Sequence, residues 1–122
     1  MKTPGSVRVL IVDDLEFMRN LLRETLEAEG FVVCAEARNG REAVQAHARF
    51  KPDIVLLDIT MPEMDGITAL KHMRTQNPES RVIMCTAINE ESMMLKAIDL
   101  GARDYIVKPF RPQRVIKALR RA

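Results

Sequence analysis

The sequence predicts an α/β fold in which a parallel sheet is covered by helices on both faces. Short apolar runs rich in β-branched residues recur five times along the 122 residues, and such runs are typical of strands buried on both sides. Between them, apolar residues recur at helical spacing. Strands that alternate with helices pair in parallel through right-handed crossovers. We therefore expect a single domain over residues 1–122.

The elements follow one another without a linker or an internal repeat. The five predicted strands lie at residues 7–12, 32–37, 54–57, 81–85 and 104–107. The helices after them are predicted from five apolar stripes, which in chain order are Met18, Leu21, Leu22, Thr25 and Leu26; Ala43, Ala46, His47 and Phe50; Ile67, Leu70, Met73 and Arg74; Leu95, Ile98 and Ala102; and Val115, Ile116 and Leu119.

Capping signals bound several of these helices. Asn39, with Glu42 three residues later, resembles a capping box at the start of the second helix. Gly30 and Gly101 stand where the first and fourth helices are expected to end. Prolines mark two further boundaries, after the third helix and in the first turn of the last: Pro78 and Pro112.

Charge and composition argue against nucleic-acid binding and membrane insertion. The formal charge of +2 arises from 19 basic and 17 acidic residues, a balance that does not indicate a nucleic-acid surface. The polar segment MKTPGS is followed by an apolar run that is too short for a signal peptide or a membrane span. We therefore expect a cytoplasmic protein. The basic residues near the C-terminus are expected to form a solvated helix face: Arg114, Lys117, Arg120 and Arg121.

The cysteines and histidines do not indicate a zinc site or a disulfide. Cys34 and Cys85 lie far apart in apolar segments, which predicts two reduced core thiols. His47 and His72 have no metal-ligating neighbour at helical spacing, so we expect both on helix surfaces.

Polar residues follow four of the predicted strands. Asp13 and Asp14 follow the first strand, Asp58 the third, Thr86 the fourth and Lys108 the fifth. Ligands of open parallel sheets bind beyond the carboxyl ends of the strands, and the acids converge there if the strand order is 2-1-3-4-5. Carboxylate oxygens suit Mg²⁺. Beside such a cation, Asp58 could accept a phosphoryl group whose oxygens bind Lys108 and Thr86.

These residues also resemble a known family. DD at 13 and 14, Asp58 in DITMPEMDG, Thr86 in CTA and KPF at 108–110 together resemble the response-regulator receiver family, and the resemblance extends from Val7 to Leu119. Within that family the chain is most similar to the single-domain chemotaxis regulators. The resemblance implies a flavodoxin-like, doubly wound five-stranded parallel sheet of order 2-1-3-4-5 with five helices.

The resemblance also assigns roles to the site residues. It implies that a histidine kinase phosphorylates Asp58, and that Mg²⁺ is held by Asp14, Asp58 and the backbone carbonyl of Thr60. Asp13 would act mainly through a metal-bound water. The Lys108–Pro109 peptide is expected to be cis, which would aim Lys108 at the site.

Output is expected from the fourth helix, fifth strand and fifth helix, over residues 89–121. Tyr105 matches the switch aromatic of the family, which turns inward as Thr86 closes on the phosphate. If Leu95, Ile98 and Ala102 face the sheet, the flank of the fourth helix carries Met93, Met94 and Ala97. Met94, Tyr105 and Lys117 would then bind a downstream effector, such as a flagellar motor switch component.

Other functions are weighed against this one. A Mg²⁺-dependent aspartyl phosphohydrolase would need a second aspartate where Thr60 stands, so we expect a phosphoacceptor with self-catalysed phosphotransfer and autodephosphorylation instead of an enzyme for external substrates. Flavin binding is disfavoured because Asp13 and Asp14 would repel a phosphate. Residues 111–121 complete the fifth helix, which disfavours the receiver part of a longer DNA-binding regulator. A phosphorelay intermediate stays open.

Overall fold

The computed structural model describes residues 7–122. The strands are β1 (Arg8–Val12), β2 (Val32–Ala37), β3 (Ile54–Leu57), β4 (Arg81–Thr86) and β5 (Asp104–Val107). The helices are α1 (Glu16–Ala28), α2 (Gly40–Phe50), α3 (Gly66–Gln76), α4 (Glu91–Asp99) and α5 (Pro112–Arg121). MKTPGS, on which part of the signal-peptide argument depends, lies outside the described residues. No helix within residues 7–122 is long and apolar enough to cross a membrane.

The strands form one parallel sheet of order β2-β1-β3-β4-β5. The predicted fold class and strand order are therefore confirmed. The strand order reverses at β1: β2 is added on one side of β1 and β3 on the other. β1 and β3 are therefore direct neighbours, and Val12 pairs with Leu57. The residues that follow these two strands consequently leave the sheet side by side.

Two apolar cores lie on opposite faces of the sheet, because successive strand residues point to opposite sides. In β1, Leu10 and Val12 join one core, which α2, α3 and α4 cover. Val9 and Ile11 join the other, which α1 and α5 cover. β1 is thus enclosed on both faces, as its uninterrupted apolar sequence predicts.

The predicted capping signals mark the helix ends. The Asn39 side chain accepts a hydrogen bond from the Glu42 amide at 2.8 Å, although the Glu42 carboxylate accepts from the amide of Arg38 instead of completing the box. Gly30 and Gly101 have φ angles of 87° and 103°, in the left-handed region that glycine adopts without strain. After α3, an exposed turn at residues 77–79 leads into the amino end of β4.

The prediction for the buried stripe of the fourth helix is wrong for Leu95 and Ile98, although Ala102, just beyond the end of α4, is buried as predicted. Leu95 and Ile98 are 62% and 47% exposed, whereas Ala97 is fully buried. Met93 and Met94 are half-buried and pack against the core. Both candidate stripes have helical spacing, so periodicity could not choose between them. The small Ala97 side chain lets α4 approach the sheet, and the larger residues remain on its outer side.

Two smaller predictions also need correction. His47 is buried instead of lying on the surface, and its Nε2 lies 2.8 Å from the Ser80 hydroxyl; His72 is exposed as predicted. Both cysteines are free thiols, but Cys34 on the edge strand is only half-buried. Burial raises the pKa of the Cys85 thiol to about 12, so this thiol is not a reactive nucleophile at neutral pH.

Candidate functional site

Three carboxylates meet at the carboxyl ends of β1 and β3. The amide of Asp13 donates to the Ala37 carbonyl and the amide of Asp58 donates to the Val12 carbonyl, each at 3.1 Å, so strand-like hydrogen bonding continues into the site. Ligand oxygens of Asp13, Asp14 and Asp58 lie within 4.8 Å of one another. Asp13 and Asp58 are buried and Asp14 is exposed. The structure thus brings together the acids that the strand order predicted.

Lys108 supplies a positive charge to this cluster. Its Nζ lies 2.5 Å from Asp13 Oδ2 and 3.2 Å from Asp58 Oδ2. The neighbouring strand β4 fixes its backbone, because the Lys108 amide donates to the Thr86 carbonyl at 2.8 Å. The Lys108–Pro109 peptide is cis, as the family resemblance implied.

The pKa values of Lys108 and Asp13 are both shifted, because the two side chains are buried and bonded to each other. Burial alone would lower the pKa of Lys108, but the hydrogen bond to Asp13 and the charges of Asp58 and Asp13 outweigh it, so this pKa is raised. Burial also raises the pKa of Asp13, despite the opposing hydrogen bond from Lys108. Lys108 is therefore strongly held as a cation, yet its hydrogen bond and charge do not fully offset the desolvation of Asp13.

Backbone amides orient the two buried carboxylates. Asp13 Oδ1 accepts from the Leu15 amide at 2.9 Å, and Asp58 Oδ1 accepts from the Ile59 amide at 2.7 Å. In each acid, one oxygen is therefore held by the backbone and the other by Lys108. The Asp14 side chain, by contrast, is exposed.

The loop between β3 and α3 is held by close backbone contacts. Gly66 donates to the Ile59 carbonyl at 2.8 Å, and a Cβ atom at Gly66 would lie only 1.9 Å from the Asp58 carbonyl oxygen. Met64, farther along the loop, accepts a hydrogen bond at its carbonyl from the amide of Gly40, the first residue of α2, at 3.0 Å. Thr60 lies exposed within this loop. The DITMPEMDG segment is thus shaped by two glycines that permit close approach.

Thr86 and Tyr105 lie on neighbouring strands. Thr86 is fully buried at the end of β4 and pairs with Val107, the residue before Lys108. Tyr105 is also buried, and its hydroxyl donates to the Ile88 carbonyl at 2.7 Å. Tyr105 therefore joins β5 to the segment after β4 in an inward position.

The predicted output residues do not form one exposed patch. Met94 is half-buried, Tyr105 is buried and Lys117 is exposed on α5. The exposed apolar residues of this region are instead Leu95 and Ile98. These two residues were missed because they had been assigned to the core.

Sequence reasoning also missed residues close to the acids, at the start of α1 and within it. Leu15 and Phe17 are 57% and 76% exposed beside Asp14. Arg19 is buried, and its Nη1 donates to the backbone carbonyl of Asp13 at 2.8 Å. A signal for Arg19 was present, because it lies three and seven residues before Leu22 and Leu26 on the apolar stripe.

The donor set fits a hard divalent cation. The candidate ligand atoms are carboxylate oxygens from three neighbouring acids, and Mg²⁺ binds one or two carboxylates while keeping several waters. The residues present therefore suit Mg²⁺ better than a soft metal.

Comparisons with known proteins agree with this geometry. Residues 9–120 match the family profile of the response regulator receiver domain. The chain is 51% identical to the chemotaxis protein CheY of Thermotoga maritima, over 92% of this chain and 93% of that protein. It is similar to a solved CheX-CheY-BeF3-Mg complex from Borrelia burgdorferi, with TM-score 0.91, 38% identity and coverage of 93% of this chain and 86% of the other.

The same similarity extends to a part of a longer protein. The chain is 46% identical to the regulatory protein AtoC of Escherichia coli over 84% of its own length, but it covers 22% of AtoC.

Proposed function

This chain belongs to the response regulator receiver family, and we propose that it signals by accepting a phosphoryl group on Asp58 from a histidine kinase. It is closely similar to the CheY chemotaxis proteins, and we expect a signalling role for it in place of catalysis on external substrates. The observation that carries the proposal is Lys108 Nζ, placed 3.2 Å from the Asp58 carboxylate in a cluster of three acids. A buried carboxylate with an adjacent cation can receive a negatively charged group.

Mg²⁺ completes this site in the proposal. Asp14, Asp58 and the Thr60 carbonyl would hold the ion directly, and Asp13 would do so mainly through water. When bound, the ion neutralises charge on the phosphoryl oxygens and helps to orient them.

The proposed transfer step uses the side chains around Asp58. A carboxylate oxygen of Asp58 attacks phosphorus of the kinase phosphohistidine, the phosphorus–nitrogen bond breaks, and the histidine nitrogen keeps the electron pair and takes up a proton. Lys108 binds one phosphoryl oxygen and the Thr86 hydroxyl donates to another. Autodephosphorylation is attack of water on the same phosphorus, which releases phosphate and restores the Asp58 carboxylate.

Phosphorylation would be communicated to the surface formed by α4, β5 and α5. The Tyr105 hydroxyl bonds the Ile88 carbonyl in the segment that follows Thr86, so a shift of Thr86 toward the phosphate would act directly on β5. Leu95 and Ile98 offer exposed apolar contacts on α4, with Lys117 on α5 and Met94 at the edge of the core. We expect this surface to bind a downstream effector, such as a flagellar motor switch component.

A second arrangement is favoured by one comparison. Because the chain matches only a part of AtoC, the same phosphoacceptor chemistry can serve a longer regulator. The site chemistry proposed for Asp58 is identical in both arrangements, and in a phosphorelay the group would pass on to another histidine.

Intact-mass spectrometry tests the phosphoacceptor directly. Incubation with acetyl phosphate and Mg²⁺ should add one phosphoryl group to the wild-type chain, and excess EDTA should prevent it. Asp58→Asn should abolish the addition, whereas Asp99→Asn, at an exposed aspartate of α4, should leave it unchanged. Full labelling of Asp58→Asn would refute the assignment.

A further inference from the structure

We propose that Arg19 is a positioning residue that holds the peptide between Asp13 and Asp14 in the orientation needed to bind Mg²⁺. The inference rests on the metal site proposed above. It concerns a side chain that reaches neither the ion nor the phosphoryl group, and acts through the backbone of the residues that do.

Arg19 connects three elements at the edge of the site. Its side chain is 11% exposed, and its Nη1 donates to the Asp13 carbonyl at 2.8 Å. Its Nε donates at 3.1 Å to Glu36 on β2. Arg23, one turn later on α1, pairs with the same carboxylate at 2.7 Å. Glu36 therefore anchors the guanidinium, and the guanidinium anchors the turn after β1.

The bonded carbonyl belongs to the peptide that leads into Asp14. Because a peptide unit is planar, fixing the Asp13 oxygen also fixes the direction in which the Asp14 nitrogen and Cα leave. Asp13 itself is held by further bonds, from its amide to Ala37 and from Leu15 to its carboxylate. Asp14 has an exposed side chain, so its position depends more strongly on the backbone that Arg19 holds.

The direction of a change in Mg²⁺ affinity separates positioning from a simple charge effect. A guanidinium near the site repels a divalent cation, so loss of its charge alone would strengthen Mg²⁺ binding. Loss of a positioning hydrogen bond would weaken it, because residues that orient metal ligands typically contribute about 10- to 100-fold in affinity. The bond between Arg19 and Asp13 is buried, which favours the second effect.

Mg²⁺ titrations of the full chain, followed by heteronuclear NMR, provide the test. Arg19→Gln should raise the Mg²⁺ dissociation constant by about tenfold, whereas Arg23→Gln, which also loses a bond to Glu36 but none to Asp13, should change it by less than about twofold. Thermal unfolding in EDTA reports the fold of each variant. Unchanged or tighter binding in Arg19→Gln, or equal weakening in both variants, would overturn the inference.

Arg19→Lys keeps the test decisive if Arg19→Gln does not fold. Lysine retains the charge but lacks the planar fork that serves Asp13 and Glu36 together, so the same weakening is expected; wild-type affinity would overturn the inference. If the wild-type chain itself binds no Mg²⁺, the proposed metal site fails. If the wild type binds and the Arg19 variants bind equally well, only the positioning role fails.

Discussion

Replacing Lys108 with methionine should destabilise the metal-free protein, because two buried carboxylates would lose the cation they share. The side chains of Lys108, Asp13 and Asp58 are 12%, 1% and 8% exposed, so water cannot readily take the place of the ammonium group. Methionine has a similar length and keeps the apolar packing of the lysine stem. The change therefore isolates the charge and its hydrogen bonds.

The magnitude follows from the geometry. Unit charges about 4 Å apart attract by about 4 kcal/mol at an effective dielectric constant of about 20, and part of this is offset because Lys108 must lose water to enter the site. Removing one partner of a buried ion pair costs about 3–5 kcal/mol. We expect the free energy of unfolding of Lys108→Met to fall by about 3 kcal/mol, toward the lower limit because the acids can take up a proton.

Urea unfolding in EDTA, followed by circular dichroism, measures this loss. Lys71→Met removes an exposed lysine of α3 and should change the free energy of unfolding by less than about 0.5 kcal/mol. Adding Asp13→Asn to Lys108→Met should recover part of the loss, and saturating Mg²⁺ should stabilise Lys108→Met by mass action. A loss below about 1 kcal/mol in EDTA would refute the reasoning, because it would show that the ammonium contributes no more than a surface ion pair.

Three further changes test other parts of the structure. Burial lowers the pKa of His47 from its ordinary 6.5, so the unfolded chain binds the proton more readily and stability should decrease as pH falls below 6.5; His47→Gln should reduce this decrease. Gly66→Ala would place a Cβ atom 1.9 Å from the Asp58 carbonyl oxygen, and should cost about 1–3 kcal/mol in unfolding free energy and weaken Mg²⁺ binding. On α4, Leu95→Lys should change stability by less than about 0.5 kcal/mol, whereas Ala97→Leu should cost about 1–3 kcal/mol.

Denaturant midpoints measured across pH test the histidine prediction, with exposed His72→Gln as its control; equal pH dependence in wild type and His47→Gln would contradict it. Unfolding and Mg²⁺ titration test Gly66→Ala, and wild-type values in both would show that the loop has room for a methyl group. For α4, a larger loss in Leu95→Lys than in Ala97→Leu would restore the original assignment of the buried face.

The sheet was predictable because its strands have a composition that helices do not share. Runs such as VLIV at 9–12 are apolar at every position, which suits a strand covered on both faces. Their carboxyl ends lie at one edge of a parallel sheet, so the polar residues that follow them could be grouped into a site. The strand order, which makes Asp13 and Asp58 neighbours, came from the family resemblance and is confirmed.

Side-chain orientation on the helices was less predictable. On α4, two stripes fit the same period, and the space beside the sheet, which admits Ala97 but not Leu95, is a tertiary property. His47 is buried because Ser80 supplies a partner 33 residues away. Arg19 lies on the apolar stripe of α1, but its role depends on its bonds to the Asp13 carbonyl and to Glu36 of β2. Each of these features requires a contact between elements distant in sequence.

The exposed turn at residues 77–79 has a practical consequence for protein engineering. It precedes β4, so it lies at the amino edge of the sheet, whereas the candidate site residues follow the strands at the opposite edge. Residues 77–79 are all exposed, and exposed turns of this kind tolerate inserted domains. A fluorescent reporter inserted between Pro78 and Glu79 would therefore lie at the edge of the sheet opposite Asp58.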